Sequence, residues 1–202
     1  MTSPASDPIA STNVPLYTPD EARNRETFLA LMWALSYPGR IQPLTAVTPL
    51  QMLATIGAAL LDRETTYFTP DMALANLLNT IGARPADPTQ AAYHFYLDSS
   101  HAIETIAQAS VGDALYPDRS ATIFIIGQIA DVQEPIGSHR DAIVLTVQGP
   151  GVKGTQDVRI GGIPESLWTV RKRRIAFPLG WDLFIVDPVG RVVGFPRSTQ
   201  IV

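Results

Sequence analysis

The chain has 202 residues, 46% of them hydrophobic, and its 19 acidic and 15 basic residues give a net charge of -4. This length and apolar content suffice for one domain with a sizeable core, and the negative balance argues against general binding of nucleic acid phosphates. The absence of cysteine from the sequence excludes disulfides, thiolate metal sites and a cysteine nucleophile. Because the chain shows neither a signal peptide pattern nor a run of about 18 apolar residues, we expect a cytoplasmic protein.

The first 17 residues differ in composition from the rest of the chain. They are rich in Ser, Thr, Pro and Asp and hold little apolar material that a core could bury. Such a composition is typical of a segment that stays flexible in solution. We therefore expect a flexible N-terminal arm at 1–17 and a single α/β domain at 18–202.

Two helix starts of the same kind follow the arm. Thr18 is a predicted N-cap, Pro19 takes the first helical position, and Glu21 completes a capping box. Thr48 and Pro49 repeat the Thr-Pro start after a Pro-Gly turn. Apolar residues recur at helical spacing along the first helix and predict one buried face. These residues are Phe28, Leu31, Met32 and Leu35.

From there, predicted strands and helices alternate. β-Branched and aromatic runs predict strands at 65–69, 93–98, 121–129 and 141–149. Helical spacing predicts helices at 71–82, 99–110 and 164–174. Two last apolar runs, joined by Pro-Val-Gly, predict a closing hairpin. This alternation is typical of an α/β fold, and we expect a three-layer sandwich around a mainly parallel or mixed central sheet.

The sequence carries no recognised catalytic or metal-binding motif. The sequence lacks the phosphate-loop, serine hydrolase, zinc protease and dinucleotide fingerprints. Its three histidines, His94, His101 and His139, are scattered, and we interpret His94 as a strand residue with one satisfied hydrogen bond. The glycine-rich stretch 149–156 favours a turn over an anion-binding loop. We therefore predict no catalytic, cofactor-binding or metal-binding residues.

A run of four basic residues, Arg171 to Arg174, ends the last predicted helix. Cations at a helix C-terminus are favoured by the helix dipole, by roughly 0.3 to 1 kcal/mol each when exposed. Four consecutive helical positions spread around the whole circumference, so at least one must point away from solvent or toward a partner. The run is therefore both a helix end and a candidate contact surface.

Several blocks of the sequence resemble one known family. They are "IAFPLGWDLFIVD" with "RVVGFPRSTQIV", "FLALMWALSYPGRIQPL", "GDALYPDRSATIFI" and "VLTVQGPGV", and they cover about residues 23–202 in family order. Together they resemble the PhnH family, the H subunit of the bacterial carbon-phosphorus lyase core complex. The residues Tyr37 and Trp181 depart from the family pattern beside two of these blocks.

The resemblance implies a fold, a role and partners. The fold would be related to the large domain of pyridoxal-phosphate-dependent transferases, but without the cofactor site. The two lysines, Lys153 in a glycine turn and Lys172 in the basic run, agree with the absence of a Schiff base. The implied role is that of an accessory, non-catalytic, homodimeric subunit that joins the G, I and J subunits in phosphonate breakdown. Trp33 and Trp168 on predicted helices are candidates for the dimer surface.

Five residues are candidate partner or anion contacts. They are Arg171, Lys172, Arg173, Arg174 and Arg197. An alternative remains, in which a transferase-like enzyme binds a nucleotide or a phosphonate through this arginine cluster.

Overall fold

The computed structural model describes residues 17–45, 48–99, 102–130 and 142–202. Apart from Tyr17, the predicted flexible arm lies outside the described residues, as do His101 and His139. The helices are α1 (Pro19–Ser36), α2 (Pro49–Leu60), α3 (Met72–Ile81), α4 (Ala102–Ile106) and α5 (Glu165–Arg174). Among these helices, none combines the length and hydropathy that crossing a bilayer requires.

The described strands form two sheets. In chain order they are β1 (Gln42–Pro43), β2 (Thr66–Phe68), β3 (Arg84–Pro85), β4 (Tyr93–Tyr96), β5 (Thr122–Ile126), β6 (Gln128–Ala130), β7 (Ile143–Gln148), β8 (Gln156–Gly161), β9 (Asp182–Asp187), β10 (Arg191–Phe195) and β11 (Gln200–Ile201). The central sheet has seven strands in the order β1-β10-β9-β5-β4-β2-β3, and the second has four in the order β11-β7-β8-β6.

Both predicted helix starts are confirmed. The Thr18 hydroxyl accepts a hydrogen bond from the backbone N–H of Glu21, whose carboxylate accepts one from the backbone N–H of Thr18 at 2.8 Å. Thr48 caps α2 by accepting from the backbone N–H of Gln51 at 3.2 Å. These side chains satisfy N–H groups that a helix start leaves without an intrahelical partner.

The central sheet is mixed, as expected. Neighbouring strands among β3, β2, β4, β5 and β9 pair in parallel, whereas β10 and β1 add antiparallel pairs at one edge. The predicted closing hairpin is the β9–β10 pair, in which Asp187 lies opposite Arg191.

The second, antiparallel sheet was not predicted. The run 121–129, expected as one strand, divides at Gly127 into β5 of the central sheet and β6 of the second sheet. A Cβ added at Gly127 would lie 2.9 Å from side-chain atoms of both Ile163 and Ile185. A glycine therefore lets the chain pass between two packed isoleucines as it changes sheet.

One face of the central sheet packs against α1, α2 and α3. Strand alternation directs Phe95, Phe124 and Phe184 to this face, where their rings stack on three neighbouring strands. The ring centroids are 5.2 Å apart between Phe95 and Phe124, and 4.7 Å apart between Phe124 and Phe184. Aromatic pairs in direct cross-strand register stabilise both the sheet and its register.

The opposite face of the central sheet packs against the second sheet together with α4 and α5. Ile123 and Ile125 of β5 point to this side, and the buried core includes Ile106 from α4 and Leu167 from α5. The second sheet contributes Ile129, Leu145, Val147, Val158 and Ile160. The predicted three layers are present, with a sheet as the main element of one outer layer.

The predicted buried face of α1 is wrong for two of its residues. Leu31 is buried, but the side chains of Phe28 and Met32 are exposed by 49% and 37%. The helix instead buries small residues, and a Cβ added at Gly194 of β10 would lie 2.6 Å from the Ala34 carbonyl oxygen. Close backbone approach, rather than large apolar side chains, sets the orientation of α1 on the sheet.

Candidate functional site around helix α5

Helix α5 carries the basic run on its last turn, as predicted. Its N-cap position, Pro164, offers no side-chain hydrogen bond to the helix. Leu167 and Arg171, four residues apart, form the buried side of the helix. The prediction that the four basic residues cannot all face solvent is therefore confirmed, with Arg171 as the buried one.

Arg171 is 3% exposed and binds main-chain carbonyls of the C-terminal part of the chain. Its Nη2 donates to the Pro196 carbonyl at 2.7 Å, and longer contacts reach the carbonyls of Trp181 and Thr199 at 3.4 and 3.5 Å. Burial lowers the pKa of Arg171 to about 10, an effect that the nearby Asp182 carboxylate opposes. The guanidinium thus stays charged at neutral pH and links α5 to the end of the chain.

Two more of the candidate arginines bind within the fold. Arg174 donates from Nη2 to the Ala109 carbonyl at 2.9 Å, although much of its side chain is exposed. Arg197 donates from Nη1 to the Pro117 carbonyl and to the Ser120 hydroxyl. Both guanidinium groups therefore hold loops in place.

Lys172 and Arg173 differ from these arginines. Both are exposed, and neither forms a hydrogen bond or an ion pair with any residue in the described ranges. Arg174 is exposed as well, but of the five candidate contacts only these two are exposed and also without a partner in the described part of the chain. We call this pair the basic end of α5.

A cavity of about 560 Å³ lies between α5 and the C-terminal segment 197–202. It brings together Arg171, Lys172 and Arg197, whereas Arg173 and Arg174 do not line it. The other lining residues are Glu165, Trp168, Thr169, Ile175, Phe177, Ser198, Thr199, Gln200, Ile201 and Val202. Spacing alone could not predict this cavity, because its two walls lie far apart in the chain and meet only in the fold.

Trp168 lines the cavity and also packs into the core. Its ring meets the Phe195 ring edge-on, with centroids 5.5 Å apart, so it is not the exposed aromatic that the sequence suggested. The Trp168 indole Nε1 and the Thr199 hydroxyl are buried and have no hydrogen-bond partner within the described residues. An unpaired buried donor costs about 1–3 kcal/mol, so each of these two groups, which lie behind the surface of the cavity, carries such a cost.

A chain of three polar side chains lies on the same side of the central sheet. The His94 Nδ1 lies 3.1 Å from the Tyr96 hydroxyl, which lies 3.0 Å from the Thr105 hydroxyl of α4. Burial lowers the pKa of His94 to about 4 and raises that of Tyr96 to about 12. The interpretation of His94 as a hydrogen-bonded strand residue is confirmed. The link to α4 could not be seen in the sequence.

The stretch 149–156 joins β7 and β8, and at Gly151 φ is +81°, with a built Cβ 2.0 Å from the Ser36 carbonyl oxygen. The turn interpretation is confirmed, since a side chain there would strain the backbone and collide with the end of α1. Among the described residues, no three His, Asp or Glu side chains are grouped so that they could hold a metal ion.

Fold and site together define a mixed α/β protein whose buried and partly buried arginines stabilise the fold, while a basic helix end faces solvent. The family model described as "Bacterial phosphonate metabolism protein (PhnH)" matches residues 17–202. The chain therefore belongs to the PhnH family.

Two curated proteins are similar over most of their length. The "Putative C-P lyase subunit protein HtxG" of Stutzerimonas stutzeri is 31% identical over 181 residues, which cover 89% of this chain and 86% of the relative. The "Alpha-D-ribose 1-methylphosphonate 5-triphosphate synthase subunit PhnH" of Rhizobium meliloti (strain 1021) is 26% identical over 190 residues, covering 88% and 89%.

Proposed function

We propose that this protein is an accessory, non-catalytic subunit of a carbon-phosphorus lyase complex in organic phosphonate catabolism. The observation that carries the proposal is the family match over residues 17–202. Two relatives support it, one named as a C-P lyase subunit and the other as a subunit of an alpha-D-ribose 1-methylphosphonate 5-triphosphate synthase. The partners would be the G, I and J subunits, and the complex would act in the cytoplasm on a phosphonate ribosyl-transfer step.

The arrangement of charge on α5 supports a docking role. Arg171, Arg174 and Arg197 bind main-chain carbonyls of their own chain, so their removal would disturb the fold. The basic end of α5, Lys172 and Arg173, has no such partners among the described residues. Exposed charges at an interface steer association and fix its register while contributing little to the stability of the isolated protein. We propose this pair as the docking surface for an acidic patch on another subunit.

The membership proposal is tested by co-purification. The full chain is expressed with an affinity tag, together with the G, I and J subunits of its own organism, and the eluted assembly is weighed by native mass spectrometry. The proposal expects a defined complex that contains this chain, and it expects more salt to weaken the binding. Elution of the tagged chain without any of the three subunits, at low salt, would contradict it.

We also propose that the protein forms a homodimer through the outer face of α1. Its exposed apolar residues are Phe28, Met32 and Trp33, and the exposed Tyr37 just after the helix stacks on Trp33 with centroids 5.6 Å apart. A group of neighbouring exposed apolar side chains is typical of an interface. A second copy would bury this face by two-fold symmetry.

Sedimentation velocity distinguishes this dimer from a monomer. The wild type should sediment as a dimer at micromolar concentration, and the double variant Phe28→Ser with Trp33→Ser should shift toward monomer. A matched control is Met72→Ser on α3, because Met72 is 75% exposed but lies on another helix. A wild type that sediments as a monomer, or a double variant that dimerises like the control, would contradict the proposal.

The enzyme alternative has less support. It needs the arginine cluster as ligands for a nucleotide or phosphonate, yet three of those arginines bind carbonyls of the fold. We keep the proposal that the fold is related to the large domain of pyridoxal-phosphate-dependent transferases without the cofactor. Both lysines, Lys153 and Lys172, are exposed, so added pyridoxal phosphate should give no internal aldimine absorbance. A band that disappears in Lys172→Gln would contradict this.

A further inference from the structure

The cavity beside α5 has the size of a ligand site. Its volume of about 560 Å³ falls in the range of roughly 300–1,000 Å³ that is usual for small-molecule pockets. One wall is helix α5 and the other is the C-terminal segment 197–202. Arg171 links the two walls, because its guanidinium donates to the carbonyl of Pro196, next to this segment, and contacts that of Thr199 within it.

Positive charge dominates the lining. Three cationic side chains, Arg171, Lys172 and Arg197, stand against one acidic side chain, Glu165, in a protein whose net charge is -4. Glu165 and Lys172 are seven residues apart on α5, which places them about 10 Å apart along the helix axis. The carboxylate therefore does not neutralise the end of the cavity where the ammonium lies. Lys172 has no hydrogen bond within the described residues, whereas the two arginines do.

The rest of the lining combines an apolar wall with hydroxyl groups. Ile175, Ile201 and Phe177 are apolar, and Phe177 is 71% exposed. Thr169 and Ser198 also line the cavity and bring hydroxyl groups. A site with cations and hydroxyls beside apolar surface suits an anion attached to an apolar body.

We propose that this cavity binds a small organic anion, namely a carboxylate or phosphate group carried on an apolar or aromatic body. The Lys172 ammonium binds the oxyanion, in the positive field of Arg171 and Arg197. Phe177 and Ile175 contact the body. The site belongs to the isolated protein, so this binding does not depend on the other lyase subunits.

Isothermal titration of the full chain tests the proposal with defined probes. Phenyl phosphate and benzoate combine the two parts of the ligand, while inorganic phosphate and benzyl alcohol each supply one part. At least one of the combined probes should bind with a Kd at or below about 1 mM, and each half-ligand about tenfold or more weakly. The stronger of the two combined probes identifies the head group. No binding of either combined probe at this level would overturn the proposal.

Two variants locate the binding. Lys172→Gln should weaken the combined probe about tenfold or more, because a charge-assisted hydrogen bond is lost. Lys153→Gln is the matched control, since Lys153 is exposed in the β7–β8 turn and does not line the cavity. Phe177→Ala should weaken phenyl phosphate but leave inorganic phosphate unchanged. Equal weakening by the two lysine variants would overturn the assignment. Binding by the isolated chain is measured without partners, so its failure leaves the co-purification test independent.

Discussion

The two faces of the central sheet differ in how they treat buried polar groups. On the face covered by α1–α3, the core is apolar and aromatic, and the buried Tyr67 places its hydroxyl 2.7 Å from Asn79 Oδ1 and 3.2 Å from the Ala75 carbonyl. On the other face, polar atoms of four residues are buried without a partner in the described part of the chain. These residues are His94, Trp168, Trp181 and Thr199.

This difference indicates that the two faces have different roles. An apolar face with satisfied polar groups contributes stability and a fixed register. The face covered by the second sheet, α4 and α5, which we call the mixed face, holds the buried Arg171 cation, the His94–Tyr96–Thr105 chain and the α5 cavity. Unsatisfied groups and buried charge are costly, and they concentrate where function requires them. We therefore propose that the contacts with the other subunits and with ligands lie on this face and its helix α5, whereas the proposed dimer contact lies on α1.

The largest effect on stability is expected from Phe124→Ala, on the face covered by α1–α3. Phe124 is fully buried at the centre of the three-ring stack, so truncation removes two ring contacts and leaves a cavity. The free energy of unfolding should fall by about 3–5 kcal/mol. Urea denaturation followed by circular dichroism measures it. If the free energy of unfolding fell only as much as it does for an exposed site, such as Met72→Ala, a tightly packed core on this face would be contradicted.

Arg171→Gln is the matching change on the mixed face. It removes a buried guanidinium that donates to the Pro196 carbonyl, so stability should fall by about 3 kcal/mol. Arg173→Gln, two positions along the same helix but exposed, should change it by less than about 0.5 kcal/mol. Similar melting of the two variants would refute the division of the basic run into a buried and an exposed part.

Lowering the pH should reduce the free energy of unfolding through His94, which lies on the mixed face. Its pKa is lowered from 6.5 to about 4 by burial, so the folded protein favours the neutral ring. This contribution is fully present above pH 6.5 and is lost as the pH falls toward 4. Between pH 7 and pH 5 the wild type should lose about 2 kcal/mol more than His94→Phe, which cannot titrate at this position. Parallel stability profiles of the two proteins over this range would contradict the assignment.

The smallest effects compare one hydroxyl from each face. Tyr67→Phe removes a hydroxyl that has partners and should cost about 1 kcal/mol. Thr199→Val removes a buried hydroxyl without a partner in the described residues, so stability should stay within about 0.5 kcal/mol or rise. Chemical denaturation of both variants checks the contrast. A larger loss for Thr199→Val than for Tyr67→Phe would reverse it.

Much of the fold could be predicted because local chemistry determines it. The Thr-Pro helix starts and the β9–β10 hairpin follow from capping and turn residues that act over a few positions. The second sheet could not be predicted, because the division at Gly127 depends on packing against Ile163 and Ile185. The exposure of Phe28 and Met32 was missed for the same reason, since Gly194 and Ala34 decide which side of the helix meets the sheet.

The candidate site was predictable in composition but not in geometry. Helical periodicity showed that the four basic residues must point in different directions, but it did not show which of them is buried. Arg171 is buried because Leu167, four residues earlier, faces the core and because Pro196 supplies an acceptor from a distant segment. The burial of the Thr199 hydroxyl and the formation of the cavity depend on the same contact between distant segments. Such a contact leaves no local pattern in the sequence.

Docking through the basic end of α5 is tested by removing its two charges. The pair Lys172→Gln with Arg173→Gln is compared with the control pair Lys153→Gln with Arg63→Gln, which removes the same charge from other exposed positions. Each variant is melted alone and then used at low salt to pull down the G, I and J subunits. We predict unchanged melting for both pairs and a loss of about tenfold or more in pull-down for the α5 pair alone. Equal pull-down by the two pairs would contradict docking through α5.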